Sequence, residues 1–170
     1  EETLRVYREE FEAFGLGDAF ENIIGIVVQP GVEFGDSDVF AYDRVKADAL
    51  VQAMKAHEGI VMEGHSTDYQ SPEALREMVE DGIAILKVGP ALTFCLREGL
   101  FALSMMEKQL VPEDKQARFI EVMEDAMVRN PGNWKKYYTG TEAEQALKRK
   151  FSFSDRCRYY FADQEIKDAI

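Results

Sequence analysis

With 170 residues, 46% of them hydrophobic, the chain is long enough for one domain of ordinary size and apolar enough to pack a core. Its formal charge of −12 is uneven: residues 1–128 carry 11 Lys and Arg against 26 Asp and Glu, whereas residues 129–170 carry 9 against 6. Such an acidic body argues against nucleic acid or an anionic membrane surface as a partner. No apolar run approaches the roughly 20 residues that cross a bilayer.

The first element in chain order is an amphipathic helix over 3–14, with Leu4, Tyr7, Phe11 and Phe14 at spacings of three or four and Gly15 and Gly17 ending it. Ile23-Ile-Gly-Ile-Val-Val28 is a β-branched run of the kind buried on both faces of a sheet, and Gln29–Asp36 is its exit loop. Asp43 caps a helix running to about His57, with Val45, Ala49, Leu50, Ala53 and Met54 expected inside. A second strand covers 60–65. A helix starts at Ser71, with Pro72 at its first position, where a missing N–H costs nothing. Ala84–Val88 is the third strand. Helices and strands alternating at this spacing predict right-handed βαβ units and a parallel sheet.

Beyond Gly89 the pattern turns helical. Residues 91–106 are apolar nearly all round, so that helix needs cover on most sides. Pro112 is expected to start another, with Phe119, Ile120, Val122, Met123, Ala126 and Met127 as its apolar face. Asn130-Pro-Gly-Asn133 is a turn. A short helix follows near 141–150, and Ser154 or Asp155 caps a last one bearing Arg156, Arg158, Tyr159 and Tyr160. Cys95 and Cys157, the only cysteines, form no disulfide framework or zinc motif, and Cys95 is expected as a buried free thiol. The charged start Glu1-Glu-Thr-Leu-Arg5 is not a secretory signal, so a cytoplasmic protein is expected.

Three strands with central character are too few for a parallel sheet, which needs both faces covered and its edges managed. A closed (β/α)8 barrel takes about 250 residues. The chain is therefore expected to be a piece of such a barrel, or a set of strands completed by a partner.

Five in-order strings carry a resemblance: Val27-Val-Gln-Pro-Gly-Val-Glu-Phe34, Glu63-Gly-His-Ser-Thr-Asp-Tyr-Gln70, Ala84-Ile-Leu-Lys-Val-Gly-Pro-Ala-Leu-Thr-Phe94, Asn133-Trp-Lys-Lys-Tyr-Tyr138 and Ser154-Asp-Arg-Cys-Arg-Tyr-Tyr160. From about residue 10 to the end, the chain resembles the accessory subunit of D-tagatose-1,6-bisphosphate aldolase, a family similar to the class II aldolases. The resemblance implies an α/β fold of the (β/α)8 TIM-barrel type. This chain would supply the last three βα units within residues 1–110 and a helical carboxyl-terminal extension over 111–170. The family's upstream strands, one with an Asp-His pair resembling a metal-site motif, and a helical tail are absent here. Gly64 stands where the family is expected to carry Ala, a small-for-small change.

The resemblance also implies a non-catalytic partner of a catalytic aldolase subunit in sugar catabolism, with a ketose phosphate as ligand and an oligomer as the working form. Some members carry the label tagatose-6-phosphate kinase. This sequence has no Gly-x-x-x-x-Gly-Lys-Ser/Thr loop and no glycine-rich strand–turn–helix, which disfavours a kinase. The rival readings are a metal-dependent aldolase or epimerase in its own right and a purely structural scaffold.

Several residues could carry chemistry. Glu63 and His65, two apart in a strand, face one side, and together could bind a divalent metal such as zinc or move a proton between sugar carbons. The alternative is a pair that only fixes structure. Any metal on His65 needs further ligands from outside this chain, and His57 reads as a surface residue near a helix end. Lys87, one strand over, could neutralise a substrate phosphate or pair with Glu63. A Schiff-base role is disfavoured by the resemblance to metal-dependent aldolases. Gly89 and Thr93 occupy the loop where barrel enzymes often hold phosphate. Asp68, Gln29 and Glu33 suit sugar hydroxyls, and Tyr69 a sugar face. Arg156 and Arg158 are candidates for a second anion contact, although their spacing on a helix lets only one of them face a pocket.

Overall fold

The computed structural model describes residues 2–170, which fall into two compact units: one comprises the residues up to Glu33 with Val39–Val88, the other Phe34–Asp38 with Gly89–Ile170.

The first unit begins with α1 (Glu2–Ala13) and a single turn, α2 (Gly17–Phe20). Its sheet consists of β1 (Gly25–Val28), β4 (Val61–Gly64) and β5 (Ile83–Leu86), in the order β1-β4-β5, with both pairs parallel. A two-stranded ribbon, β2 (Glu33–Phe34) and β3 (Val39–Phe40), lies in the segment between β1 and the helix α3 (Arg44–Lys55), and α4 (Pro72–Glu80) joins β4 to β5. Asp43 caps α3 by accepting from the amides of Val45 and Lys46, and Ser71 caps α4 by accepting from that of Ala74. Val28, Met62 and Ile83 of the strands share a buried cluster with Ala47, Val51 and Met54 of α3 and with Ala74 and Met78 of α4.

Pairing is Val27↔Glu63↔Ile85, and an irregularity lies beside Met62 and Glu63, where β5 fits one extra residue, Ala84. On this side of the sheet Val27, Val61 and Ile85 are exposed, in contrast to the buried side.

Several expected faces shift. Val45 and Ala49 are exposed, and the inner stripe of α3 is Ala47, Val51 and Met54, with Leu50 partly buried. In α1 only Leu4 is buried; Tyr7 and Phe14 are exposed, and Phe11 sits edge-on to Phe20. Both misreadings follow from taking every apolar residue of a helix as inward, whereas the stripe that has a neighbour is narrower.

The second unit is helical: α5 (Pro90–Leu110), α6 (Phe119–Arg129), α7 (Glu142–Phe151) and α8 (Gln164–Asp168), joined by 3-10 turns at Glu113–Lys115, Pro131–Asn133 and Arg156–Tyr160. Pro112 therefore precedes a 3-10 turn, and α6 begins only after Arg118, which adopts a left-handed backbone. Its core gathers Phe101, Phe119, Met123, Trp134, Tyr138, Cys157, Tyr160 and Ile166. Thr141 and Glu144 close a capping box on α7. The helix α5 falls within this unit. Phe101 and Ser104 lie on its buried face; Leu92, Leu96, Leu103, Met106 and Leu110 are exposed. Cys95 is also exposed, contrary to expectation, because it lies outside the inward stripe of α5; the buried thiol is Cys157. Burial, reinforced by the charge of Asp155, pushes the Cys157 thiol well up from its ordinary range.

Candidate functional site

Strand pairing and side-chain alternation determine what reaches the carboxyl ends of β1, β4 and β5. Val27, Glu63 and Ile85 stand level on one face. The ladder runs past the strand ends, because the His65 amide donates to the Val28 carbonyl at 3.2 Å and the Lys87 amide to the Gly64 carbonyl at 3.0 Å. Counting on by two places Gln29, His65 and Lys87 in the next row of that face, one level above Glu63. The structure thus brings together Gln29, Glu63, His65 and Lys87 at one rim.

Two side-chain pairs organise the rim. His65 Nε2 lies 3.0 Å from Glu63 Oε1, with the two side chains 34% and 31% exposed. Gln29 Nε2 donates to Glu33 Oε2 at 3.0 Å. Lys87 is exposed, and its carbonyl, not its ammonium, anchors the neighbouring loop: it accepts from the Thr67 amide at 3.3 Å and from Thr67 Oγ1 at 2.9 Å. Asp68 in the same loop is buried.

That loop, 65–70, holds two non-glycine residues in the left-handed region, Ser66 at φ 57 and Tyr69 at φ 62. Such residues cost about 1–3 kcal/mol each and persist where neighbouring bonds over-determine them. Thr67 supplies two of those bonds. Gln70 supplies two more, accepting from the Tyr42 amide at 3.0 Å and donating to the Phe40 carbonyl at 2.9 Å. Ser66, Thr67 and Gln70 lie within the string Glu63–Gln70 that carries the resemblance, but no role was expected of them; that they hold this loop follows from tertiary hydrogen bonds and not from residue type.

The remaining candidates lie in the helical unit. Gly89 sits at the amino end of α5 and provides no side-chain cap. Thr93 Oγ1 lies 2.6 Å from Asp155 Oδ2 and 3.1 Å from the Pro90 carbonyl, so its hydroxyl serves the fold of that unit. Asp155 does not cap the turn that follows: its own backbone is left-handed, at φ 43, and its carboxylate accepts from Arg97 Nε at 2.7 Å. Arg97 is 1% exposed and stacks on Phe94 and Phe101, with guanidinium-to-centroid distances of 4.2 and 5.1 Å. Arg156 stacks on Tyr137 and donates to the Asn133 carbonyl at 2.9 Å. Arg158 donates to the Ser154 carbonyl and to the Tyr159 hydroxyl. Both arginines sit on a 3-10 turn, not the α-helix expected, and both brace neighbouring backbone.

Among the described residues no group of three or more His, Cys, Asp or Glu could hold a metal ion. Glu63 and His65 supply at most two ligands and are bonded to each other, so this chain's residues do not by themselves fit a complete metal centre. Among the described residues no helix is long and apolar enough to cross a membrane.

The parallel three-stranded sheet flanked by helices is an α/β arrangement, and it carries a carboxylate–imidazole pair at its carboxyl end. The chain matches over residues 1–170 the family described as D-tagatose-1,6-bisphosphate aldolase subunit GatZ/KbaZ-like, and it belongs to that family. A solved structure from Sinorhizobium meliloti 1021, described as a probable tagatose 6 phosphate kinase, is 50% identical in sequence and superposes with a TM-score of 0.95. The match covers 99% of this chain and 43% of that one, so this chain spans less than half the length of its solved relative.

Proposed function

We propose that the chain forms the last three βα units and helical extension of a (β/α)8 barrel, and that it acts as an accessory subunit of tagatose-bisphosphate aldolase. Its rim would bind a ketose phosphate: Lys87 faces the phosphate, while Gln29, Glu33, Glu63, His65 and Asp68 take the hydroxyls. The working form is an oligomer with the catalytic aldolase subunit, in the cytoplasm. The observation that carries this reading is the common face of Gln29, Glu63, His65 and Lys87 at the carboxyl ends of three parallel strands, where barrel enzymes build their sites. The barrel is supported by the two apolar surfaces left exposed, Val27–Val61–Ile85 on the sheet and Leu92–Leu110 on α5. Surfaces of this kind mark packing or interaction sites. On the helical unit, Gly89 and Thr93, or Arg156 or Arg158, would offer a separate anion contact, for which Thr93 and both arginines would have to give up hydrogen bonds they already make.

A second reading, an aldolase or epimerase in its own right, is favoured by the Glu63–His65 pair alone. In that case His65 could also donate one ligand to a divalent metal whose other ligands lie outside this chain. Calorimetric titration with D-tagatose 1,6-bisphosphate, with and without the catalytic aldolase subunit, tests both. The accessory reading expects binding, and a partner turnover that rises with this chain. No binding and no effect on the partner would reject it. Turnover by the chain alone that disappears in Glu63→Ala and His65→Ala would establish the second reading in its place.

A further inference from the structure

The Glu63–His65 pair is asymmetric in a way that its residue types alone do not reveal. Only Nε2 of the ring is engaged, at 3.0 Å from Glu63 Oε1; among the described residues Nδ1 has no partner. An ionised carboxylate can only accept, so in the neutral ring Nε2 carries the hydrogen and Nδ1 the lone pair. Glu63 lies one row deeper than His65, level with Val27 and Ile85, whose side chains have no polar atoms. His65 is tied at its own amide to the Val28 carbonyl, so the ring hangs from a fixed backbone.

We infer that Glu63 is a positioning residue that sets His65 in the Nε2–H tautomer and leaves Nδ1 as the acceptor at the rim, suited to a hydroxyl of a phosphorylated polyol. The choice of ligand rests on the sugar-site reading; the tautomer does not. The row around His65 fits that ligand. Lys87 brings a cation for the phosphate. Gln29 has its amide nitrogen engaged by Glu33, which leaves its carbonyl oxygen as a second acceptor.

The test is nitrogen NMR on the chain with ring-15N histidine, in a His57→Gln background that leaves one imidazole, at about pH 9, where an ordinary imidazole is neutral. Wild type should show a protonated Nε2, slowed in exchange with water, and a bare Nδ1. Glu63→Leu should lose the slowed proton. Glu63→Lys, whose side chain only donates, should invert the ring to Nδ1–H. An Nδ1–H ring in wild type, comparable amounts of both tautomers, or an unchanged ring in a folded Glu63→Leu protein would overturn the inference. Should a variant fail to fold, the wild-type spectrum decides alone. Added D-tagatose 1,6-bisphosphate should move the Nδ1 resonance; movement of Nε2 alone overturns the inference. No movement at any nucleus counts against the sugar reading and leaves the tautomer result standing.

Discussion

Both units contain carboxylates bonded to cationic or imidazole side chains, and they use them in opposite ways. In the strand unit, Glu63 and His65 sit partly exposed at a rim, and among the described residues Nδ1 of the ring has no partner. In the helical unit, Asp155 receives Arg97, Thr93 and the Cys157 thiol, and Arg97 and Asp155 have side chains 1% and 0% exposed. Arg149, also buried, receives support from Glu124 and Glu142 and stacks on Trp134. The first arrangement leaves atoms exposed to an incoming molecule; the second shuts its charges away from solvent, including Arg97 Nη1 and Nη2, which have no hydrogen-bond partner among the described residues. Residue type does not separate the two arrangements, whereas exposure does.

The largest expected effect sharpens this contrast. Asp155→Ala strands a buried guanidinium and should lower stability by about 3–5 kcal/mol in urea unfolding. Glu63→Ala removes a half-exposed pair and should cost no more than about 1 kcal/mol. Equal losses would break the distinction. Next comes Gly64→Ala. The family resemblance suggests a neutral change, yet a Cβ at Gly64 would stand 2.9 Å from Cγ2 of the fully buried Ile83. Overpacking of this kind should cost about 1–3 kcal/mol, and an unaltered melting temperature would show that β5 can shift there. A smaller loss, about 1 kcal/mol, is expected for Thr141→Ala, which opens the capping box of α7; amide exchange in the first turn of α7 should quicken.

Acid separates the units less sharply. Asp81 is held below the usual carboxylate range, chiefly by Arg44 and also by the Tyr42 hydroxyl, which donates at 2.9 Å. For Glu124, burial opposes ionisation, but hydrogen bonds from Arg149 and Lys150 prevail and hold it low. With folded values depressed, both contributions are complete above the unfolded carboxylate range of about pH 4 and are lost as pH falls through the folded values. Stability measured from pH 6 downward should be level at first and then decline. In Arg44→Met the share from Asp81 should shrink to what the Tyr42 hydroxyl still supplies.

The alternation of α1, α3 and α4 with β1, β4 and β5 was legible because β-branched runs and caps such as Asp43 and Ser71 are local signals, whereas the single turn α2 and the ribbon of β2 and β3, within and just after the expected exit loop, were not. The rim was legible too: Glu63 and His65 are two apart in one strand, and alternation fixes their common face. The helical unit was read less well. Arg97 and Asp155 are 58 positions apart, and nothing local announces that an aspartate after a serine will leave the turn uncapped to reach a buried arginine. Thr93, Arg156 and Arg158 looked like anion ligands by residue type; their hydrogen bonds to backbone and to Asp155 come from tertiary packing, which spacing does not encode. The same holds for α3, where five apolar positions competed for an inner stripe that three residues and part of a fourth fill.

The extra residue in β5 has a consequence for how this surface can change over evolutionary time. Ile83 is buried, and strict alternation from it would send Ile85 and Lys87 to the helix-covered side. Ala84 absorbs one step, so Ile85 comes level with Glu63 and Lys87 with His65. Inserting a single codon between Ile85 and Lys87 would reverse the phase and withdraw the ammonium from the face of Glu63 and His65. In a lineage that drifted this way, the imidazole would keep its place while the rim lost its cation.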